Sequence, residues 1–346
     1  MKLRRTGIIG IVLGLLLCLG GTALWLKVEM DNALASKLNL NKPIIYEIRT
    51  GQSLVGVTRE LTQMRILERP VFLIWHARLN GTASMIKAGE YQLSPGLNVT
   101  DLLEMFVSGR VFQRSLTIVE GWTFLQLLDA VRKAPALEST LDGVELENIM
   151  AKIGFPDIHP EGRFLPDTYH FPKGTTDADF LVRAYRAMED YLDKAWSSRD
   201  AGLPFDTPYD ALILASIVEK ETAVAKERGR ISGVFVERLK RGMRLQTDPT
   251  VIYGMGAAFD GNLRRQDLDR DTPYNTYTRK GLPPTPIANP GTASITAVMH
   301  PVVDGSLYFV AKGDGSHHFS ATYEEHNQAV TRYQLRRKSD NKKQGG

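Results

Sequence analysis

Residues 212–222 read LILASIVEKET, and the rest of the chain is best interpreted outward from this stretch. Its apolar residues recur with helical spacing, which predicts a helix that packs into a core. Asp210 or Thr207 can begin this helix, because both side-chain types accept hydrogen bonds from free N–H groups at a helix N-terminus. The stretch ends with two carboxylates, Glu219 and Glu221, which makes it a candidate for acid catalysis.

Glu219 is the carboxylate that the helical pattern favours. At roughly 100° per residue it shares a face with Leu212, Ala215 and Ser216, whereas Glu221 lies about 200° away from it. Loss of hydration on a face of apolar and small residues favours the neutral carboxyl group, which can act as a general acid. The two carboxylates cannot both point into one cleft, and we predict that Glu219 is the one that does. A solvated Glu-Lys-Glu run at a helix end is the alternative.

Several long motifs follow one another along the chain: IVEKET at 217–222, RLQTDPTVIYG at 244–254, YNTY at 274–277, GLPP at 281–284 and a later His300-Pro301. Together they resemble the MltG (YceG-like) family of endolytic peptidoglycan transglycosylases, and the likeness runs from about residue 45 to 330. One departure is at 286–291, where the residues around the prolines vary.

The resemblance implies a lytic transglycosylase that cleaves the MurNAc-GlcNAc bond within nascent peptidoglycan strands and so limits their elongation. In that reaction the muramyl 6-hydroxyl attacks its own anomeric carbon, which leaves a 1,6-anhydroMurNAc end without the use of water. One carboxyl group can serve as acid and then as base. The resemblance places Glu219 at the catalytic position.

Seven other residues are predicted to bind the substrate, through short polar groups that reach sugar hydroxyls and N-acetyl groups or through aromatic rings that line a cleft: Gln246, Thr247, Asp248, Tyr253, Tyr274, Asn275 and Tyr277. Asp248 has two further interpretations. A second carboxylate would favour hydrolysis, and a helix cap before Pro249 would be structural. The segment 161–169, EGRFLPDTY, suits either a sugar site or an ordinary ordered loop.

Composition excludes several classes of protein. The 346-residue chain has a net charge of +4, and its basic residues are spread out, which fits an anionic membrane or cell-wall polymer and predicts no nucleic-acid partner. Cys18 is the only cysteine and lies in an apolar run, so a thiol hydrolase is excluded. The histidines are scattered, and His317 and His318 would lie on opposite faces of a strand, so we predict neither a metal site nor a cofactor.

The N-terminal segment predicts a membrane anchor. Residues 7–26 carry no charge and are long enough to span a bilayer as a helix. Basic residues precede the run, which predicts that residues 1–6 are cytoplasmic and that the bulk of the chain is periplasmic, in a single-pass protein of the cell inner membrane. A cleaved signal peptide is the rival interpretation, although no clear cleavage site closes the run.

The pattern beyond the anchor predicts an α+β fold in several parts: a linker at 27–42, a small α/β module at 43–110, a connecting segment at 111–155, a mixed α+β catalytic domain at 156–335 and a basic disordered tail at 336–346. The order strand, helix, helix, strand in the small module resembles LysM modules, which bind glycan chains in peptidoglycan. A purely structural role for this module is the alternative.

Two competing functions stay open at this stage. A non-catalytic wall-binding scaffold would use the LysM-like module to recruit synthases, and a muramidase-type hydrolase would leave ordinary reducing ends. The family and the location together imply peptidoglycan glycan strands as substrate and penicillin-binding glycan synthases as partners.

Overall fold

The computed structural model describes residues 2–335. The predicted basic tail at 336–346 lies outside the described residues. The chain divides into two compact units, one formed by Met1–Arg114 with Phe171–Lys173 and the other by Ser115–His170 with Gly174–Gly346. The described residues form helices and short two-stranded sheets, so the predicted α+β class is confirmed.

The first unit begins with one long helix, α1, Lys2–Ala35. Within it, Leu13–Ala35 is a 23-residue apolar span whose most apolar window has a mean hydropathy of 1.5 and is 0% buried. By length and composition this span is able to cross a membrane, and a signal sequence passes the same test. The sequence prediction of one apolar N-terminal helix is confirmed, and α1 continues without a break into the segment predicted as a linker.

The rest of the first unit consists of one two-stranded sheet and three helices: β1, Ile44–Ile48; α2, Leu54–Gln63; α3, Pro70–Leu79; β2, Gly89–Leu93; and α4, Val99–Ser108. The two strands are antiparallel, with Tyr46 opposite Tyr91. Ser53 caps α2 by accepting the Gly56 N–H, as its position in the sequence predicts. The predicted order of strand, two helices and strand is therefore present, while the LysM-like resemblance stays a prediction.

The elements after α4 are mostly helices: β3, Arg114–Thr117; α5, Phe124–Arg132; α6, Ile149–Lys152; β4, Thr168–Phe171; α7, Asp177–Ser197; α8, Pro208–Glu221; α9, Arg228–Lys240; α10, Asp248–Met255; α11, Arg265–Asp269; α12, Thr292–Met299; β5, Tyr308–Ala311; β6, His317–Ser320; and α13, Tyr323–Val330. Strand β3 pairs with β4, and β5 pairs antiparallel with β6.

Helix α8 lies at the centre of the second unit. It begins after Thr207, whose hydroxyl accepts the Asp210 N–H while the Asp210 carboxylate accepts the Thr207 N–H, and Pro208 occupies the first turn. All eight residues of 211–218 are buried, because α7, α9, α10 and α12 pack around the helix. A helix that is apolar on all sides has no single inward face. The faces of the two carboxylates at its end therefore have to be found from their neighbours.

Candidate active site

A cavity of about 400 Å³ lies at the C-terminal end of α8. This size falls in the range of roughly 300–1,000 Å³ that is usual for small-molecule sites. Its walls carry carboxylate, guanidinium, phenol and imidazole groups, of which the polar members are Glu221, Arg238, Gln246, Asp248, Tyr277, Tyr308, His317, Tyr323, His326 and Gln334. The residues come from α8, α9, the loop between α9 and α10, α10, the loop after α11, the hairpin β5–β6, α13 and the segment that follows α13. The cavity is therefore a product of the tertiary fold.

Glu221 is the last residue of α8 and contributes its carboxyl group to this cavity. The Thr247 hydroxyl donates a short hydrogen bond to Glu221 Oε1. Burial raises the pKa of Glu221 to about 6, against a smaller opposing effect of the Thr247 hydrogen bond, and the neighbouring Asp248 charge raises it further. With this pKa about a tenth of the Glu221 carboxyl groups carry a proton at pH 7, far more than at the ordinary pKa, and the protonated form can act as a general acid.

Glu219 has different surroundings from those that the helical pattern predicts. Its side chain is 7% exposed, but Oε2 accepts the Gly291 N–H at 3.0 Å and the Ser294 hydroxyl at 2.7 Å. The Arg228 guanidinium lies 3.8 Å from Oε1. The Glu219 carboxylate is therefore surrounded by hydrogen-bond donors and a guanidinium group instead of the apolar side chains that the helical pattern predicts. Glu219 does not line the cavity. Its contacts instead tie the end of α8 to the start of α12.

The loop before α10 holds two of the predicted binding residues, Gln246 and Thr247. Gln246 lines the cavity and has a backbone φ of 52°, in the left-handed region that non-glycine residues rarely adopt. Its N–H donates to the Thr276 carbonyl at 3.1 Å, and the Thr247 N–H donates to the Thr276 hydroxyl at 3.1 Å. These bonds hold the strained loop in place, so that the Thr247 hydroxyl reaches Glu221.

Asp248 and Tyr277 form a second polar pair in the cavity. The Tyr277 hydroxyl donates to Asp248 Oδ1 at 2.5 Å. Burial and the Asp248 charge raise the pKa of Tyr277 well above its usual range, so the phenol keeps its proton and stays a donor. Asp248 occupies the first turn of α10, and Thr247 takes the cap position. The interpretation of Asp248 as the cap before Pro249 is therefore wrong, and its carboxylate faces the cavity.

The other three predicted binding residues do not line this cavity. The Tyr253 hydroxyl donates to Glu161 Oε2 at 3.0 Å, and the Tyr274 hydroxyl lies 2.9 Å from Thr285 Oγ1. Asn275 is 1% exposed.

Asn275 acts on the cavity through the backbone. Its Nδ2 donates to three carbonyl oxygens within residues 267–270, and its Oδ1 accepts the Tyr277 N–H at 2.8 Å. These bonds close the loop and present Tyr277 to Asp248. Asn275 is thus a positioning residue in this structure.

The segment 161–169 is also separate from the cavity. Glu161 is 4% exposed and accepts both the Phe124 N–H at 2.9 Å and the Tyr253 hydroxyl at 3.0 Å. Burial raises the pKa of Glu161 to about 7. Arg163 stacks on the Tyr209 ring at 4.2 Å. Of the two interpretations offered above, these buried contacts favour an ordered structural loop.

Sequence reasoning missed several polar residues of the cavity. Arg238 of α9 is 7% exposed and donates to the carbonyl oxygens of Leu245 and Leu307, both at 2.7 Å. From the sequence, we consider the histidines only as metal ligands, and we do not predict that His317 and His326 line the cavity. The described residues contain no cluster of three or more His, Cys, Asp or Glu side chains that could hold a metal ion.

Comparisons with known proteins agree with this architecture. The endolytic murein transglycosylase of Bacillus subtilis (strain 168) is 31% identical over 341 residues, which cover 92% of this chain and 91% of that protein. The endolytic murein transglycosylase of Streptococcus pneumoniae serotype 2 is 26% identical over 338 residues, which cover 88% of this chain and 61% of that protein.

A solved structure extends the likeness to three dimensions. The crystal structure of a yceG-like protein from Listeria monocytogenes, at 2.6 Å resolution, has a TM-score of 0.51 and 30% sequence identity, and it covers 84% of this chain and 99% of that one. Residues 46–332 match the family model described as the YceG-like family. Since that match and the Bacillus relative both span most of its length, this chain belongs to the YceG-like family.

Proposed function

We propose that this protein is a membrane-anchored endolytic lytic transglycosylase that cleaves MurNAc-GlcNAc bonds within nascent peptidoglycan strands. The relatives named as endolytic murein transglycosylases support the activity. The observation that carries the proposal is the Glu221 carboxyl, whose pKa burial raises to about 6, in a polar cavity large enough for sugar residues. Endolytic cleavage would limit the elongation of the strand.

The chemistry needs one proton donor and one way to stabilise positive charge at the anomeric carbon. Glu221 gives its proton to the glycosidic oxygen, and the bond from this oxygen to C1 of MurNAc breaks with its electron pair on the leaving sugar. The muramyl 6-hydroxyl attacks C1 and closes the 1,6-anhydro ring, and its proton moves to the Glu221 carboxylate that the first transfer leaves. Asp248, an acceptor of the Tyr277 hydroxyl in the same cavity, supplies negative charge beside the oxocarbenium-like centre.

This assignment gives the acid role to Glu221, although the sequence pattern favoured Glu219. Glu219 already accepts hydrogen bonds from Gly291 and Ser294 and has Arg228 beside it, so its carboxylate oxygens are engaged in contacts within the protein. Glu221 has a single hydrogen-bond donor in the described structure and shares the cavity with the predicted sugar-binding loop. In this proposal Glu219 positions α8 and Glu221 reacts.

The seven predicted binding residues take two kinds of role in the same proposal. Gln246, Asp248 and Tyr277 contact the glycan directly, because their side chains line the cavity. Thr247 orients the Glu221 carboxyl. Tyr253, Tyr274 and Asn275 are expected to act through the loops that they hold.

The proposed location rests on the N-terminal helix and the charges before it. We infer that α1 anchors the protein in the cell inner membrane, with its N-terminus in the cytoplasm and the bulk of the chain in the periplasm. A tether of this kind would hold the cavity near lipid-linked, newly polymerised strands. The penicillin-binding glycan synthases that make those strands are the expected partners, and glycan binding by residues 43–110 is a further expectation.

The test is mass spectrometry of the products that the full-length protein, in detergent, releases from uncrosslinked glycan strands. We expect the wild-type protein to release internal fragments that end in 1,6-anhydroMurNAc. We expect Glu221→Gln to release no fragments. Cleavage by Glu221→Gln together with its loss in Glu219→Gln would return the acid role to Glu219.

Two other outcomes point to different functions. Ordinary reducing ends would indicate a hydrolase, for which Asp248 in the same cavity is the second carboxylate. Retained glycan binding without cleavage by the wild-type protein would indicate the scaffold.

A further inference from the structure

One carboxylate–imidazole pair in the second unit has no part in the mechanism above. His317, the first residue of β6, places Nδ1 2.7 Å from Oε2 of Glu227, which lies just before α9. The His317 backbone N–H donates to the other carboxylate oxygen, Oε1, at 3.0 Å. The two side chains are only 11% and 14% exposed. Glu227 therefore holds both the backbone and the ring of His317.

This clamp determines which nitrogen of the ring is available. A carboxylate accepts hydrogen bonds, so Nδ1 carries a proton toward Glu227 and the neutral ring keeps its lone pair on Nε2. Within residues 2–335, Nε2 has no hydrogen-bond partner, and His317 lines the same cavity as Glu221. The Phe309 ring packs edge-to-face at 5.4 Å and restrains the plane of the imidazole.

In many enzymes a general base removes the proton of the nucleophile, and a third group holds that base in the correct orientation. We propose that His317, oriented by Glu227, is a second catalytic residue of this cavity, and that its Nε2 accepts the proton of the sugar hydroxyl that attacks the anomeric carbon. This inference rests on the proposed function and divides the acid and base roles between two residues.

The proton and electron balance of the step is complete within the cavity. Glu221 loses a proton to the leaving glycosidic oxygen as the bond from that oxygen to C1 breaks. The bond from O6 to C1 forms, and the O6 proton moves to Nε2 of His317. The step ends with an imidazolium hydrogen-bonded to the Glu227 carboxylate and with a Glu221 carboxylate in the same cavity, and the proton then returns from the imidazolium to Glu221 through solvent.

The charges around His317 favour this direction of transfer. Glu227 stabilises the imidazolium directly. The other titratable or charged side chains that line the cavity are Glu221 on α8, Arg238 on α9, Asp248 on α10, Tyr277 in the loop after α11, Tyr308 on β5, and Tyr323 and His326 on α13. A positive charge on His317, once the ring has accepted a proton, lowers the pKa of Glu221 against the rise that burial causes. Proton positions on the two groups are therefore coupled.

The test is a kinetic comparison of full-length variants in detergent, with uncrosslinked glycan strands as substrate and anhydro-ended fragments as product. We expect His317→Ala to lower kcat by about 10²–10⁴-fold with KM changed less than about threefold, because a positioned base contributes that much. Added imidazole should restore part of the rate. Glu227→Gln should lower kcat by a smaller factor than His317→Ala and leave KM little changed, because the imidazole remains but loses the carboxylate that orients it.

His318 provides the matched control, because it is the next residue on the same strand and its ring lies 5.5 Å from Tyr333, outside the cavity. His318→Ala should keep kcat within about twofold and should not respond to imidazole. Thermal unfolding of each variant separates a folding defect from a catalytic one, and Glu227→Gln serves as the probe of the pair if His317→Ala does not fold.

Three results would overturn the inference. The first is a folded His317→Ala variant that keeps the wild-type kcat. The second is a His317→Ala variant whose loss of activity comes from a higher KM alone and is not restored by imidazole. In both, anhydro products from the wild-type protein and their absence with Glu221→Gln would leave the proposed function standing. The third is a wild-type protein that does not cleave glycan strands, which would remove the proposed function and this inference together.

Discussion

At the scale of single residues, Glu221 and Thr247 control when the proposed acid carries its proton. With a pKa of about 6, the acid form of Glu221 is lost as the pH rises through that value, and the rate should fall about tenfold per pH unit above it. The Thr247 hydroxyl donates to the charged form and lowers this pKa, so its removal should raise it.

We therefore expect Thr247→Val to move the alkaline limb of the kcat/KM profile to higher pH. The measurement is the rate of glycan cleavage between about pH 5 and 9. Thr250→Val is the control, since the Thr250 hydroxyl bonds to the Thr247 carbonyl and to Thr276 but not to Glu221. An unmoved limb in Thr247→Val would argue against Glu221 as the titrating acid.

Glu161 gives a second residue-scale prediction, on stability. Burial raises its pKa from 4.5 to about 7, and a rise of that size corresponds to about 3 kcal/mol. Because the folded-state pKa is the higher one, this contribution to stability is present below about pH 4.5 and is lost as the pH rises through about 7. Glu161→Gln, which stays neutral, should therefore flatten the decline of the unfolding free energy between pH 5 and 8.

Urea denaturation at several pH values measures this effect. Glu324 is exposed, so Glu324→Gln should leave the slope of the wild-type protein unchanged and serves as the control. An equally steep slope in Glu161→Gln would show that the pH dependence arises from other groups.

At the scale of elements, two helical glycines should respond in opposite ways to alanine. A Cβ on Gly233 of α9 would lie 2.0 Å from the Val302 carbonyl oxygen, a backbone atom that cannot rotate away. A Cβ on Gly56 of α2 would meet nothing closer than 3.5 Å. We expect Gly56→Ala to stabilise by about 0.5–1 kcal/mol through helix propensity. Gly233→Ala should lose more than that gain, with a net cost of about 1–3 kcal/mol.

The unfolding free energies of the two variants test this pair, each as a difference from the wild-type protein. Stabilisation by Gly233→Ala would mean that α9 and the segment at Val302 separate more easily than their packing indicates.

The elements were more predictable from the sequence than the site. Helix starts carry local signals, and Ser53, Thr123 and Thr207 each cap a helix with a side-chain oxygen that accepts a free backbone N–H. The choice between Glu219 and Glu221 assumed a helix with one buried face, whereas α8 is buried on all sides, so that periodicity could not rank its carboxylates.

The pairing of Glu227 with His317 was out of reach for a different reason. The two residues are 90 positions apart, and only the tertiary packing of β6 beside the start of α9 brings them together. Gln246 and Asp248 were found because a polar loop entering an apolar segment is a local pattern.

At the scale of the whole molecule, we expect α1 to stay on the protein and to anchor it in the membrane. An intact α1 would keep the chain in the membrane fraction, because a 23-residue apolar helix is long enough to cross the hydrocarbon core. A cleaved leader would release a shorter protein. We expect the full-length mass in the membrane fraction, and resistance of the protein to extraction by alkaline carbonate, which strips peripheral proteins but not spanning helices.

Intact-mass measurement of the extracted protein and of the carbonate wash tests this prediction. Substitution of Leu16 and Leu17 by lysine gives a variant that should insert poorly, because two charges in the apolar span cost on the order of several kcal/mol on insertion into the membrane. This variant should move into the wash, while lysine at the exposed Leu79, outside the span, should leave the protein in the membrane. A wild-type protein recovered in the wash with a shortened N-terminus would replace the anchor with a signal peptide.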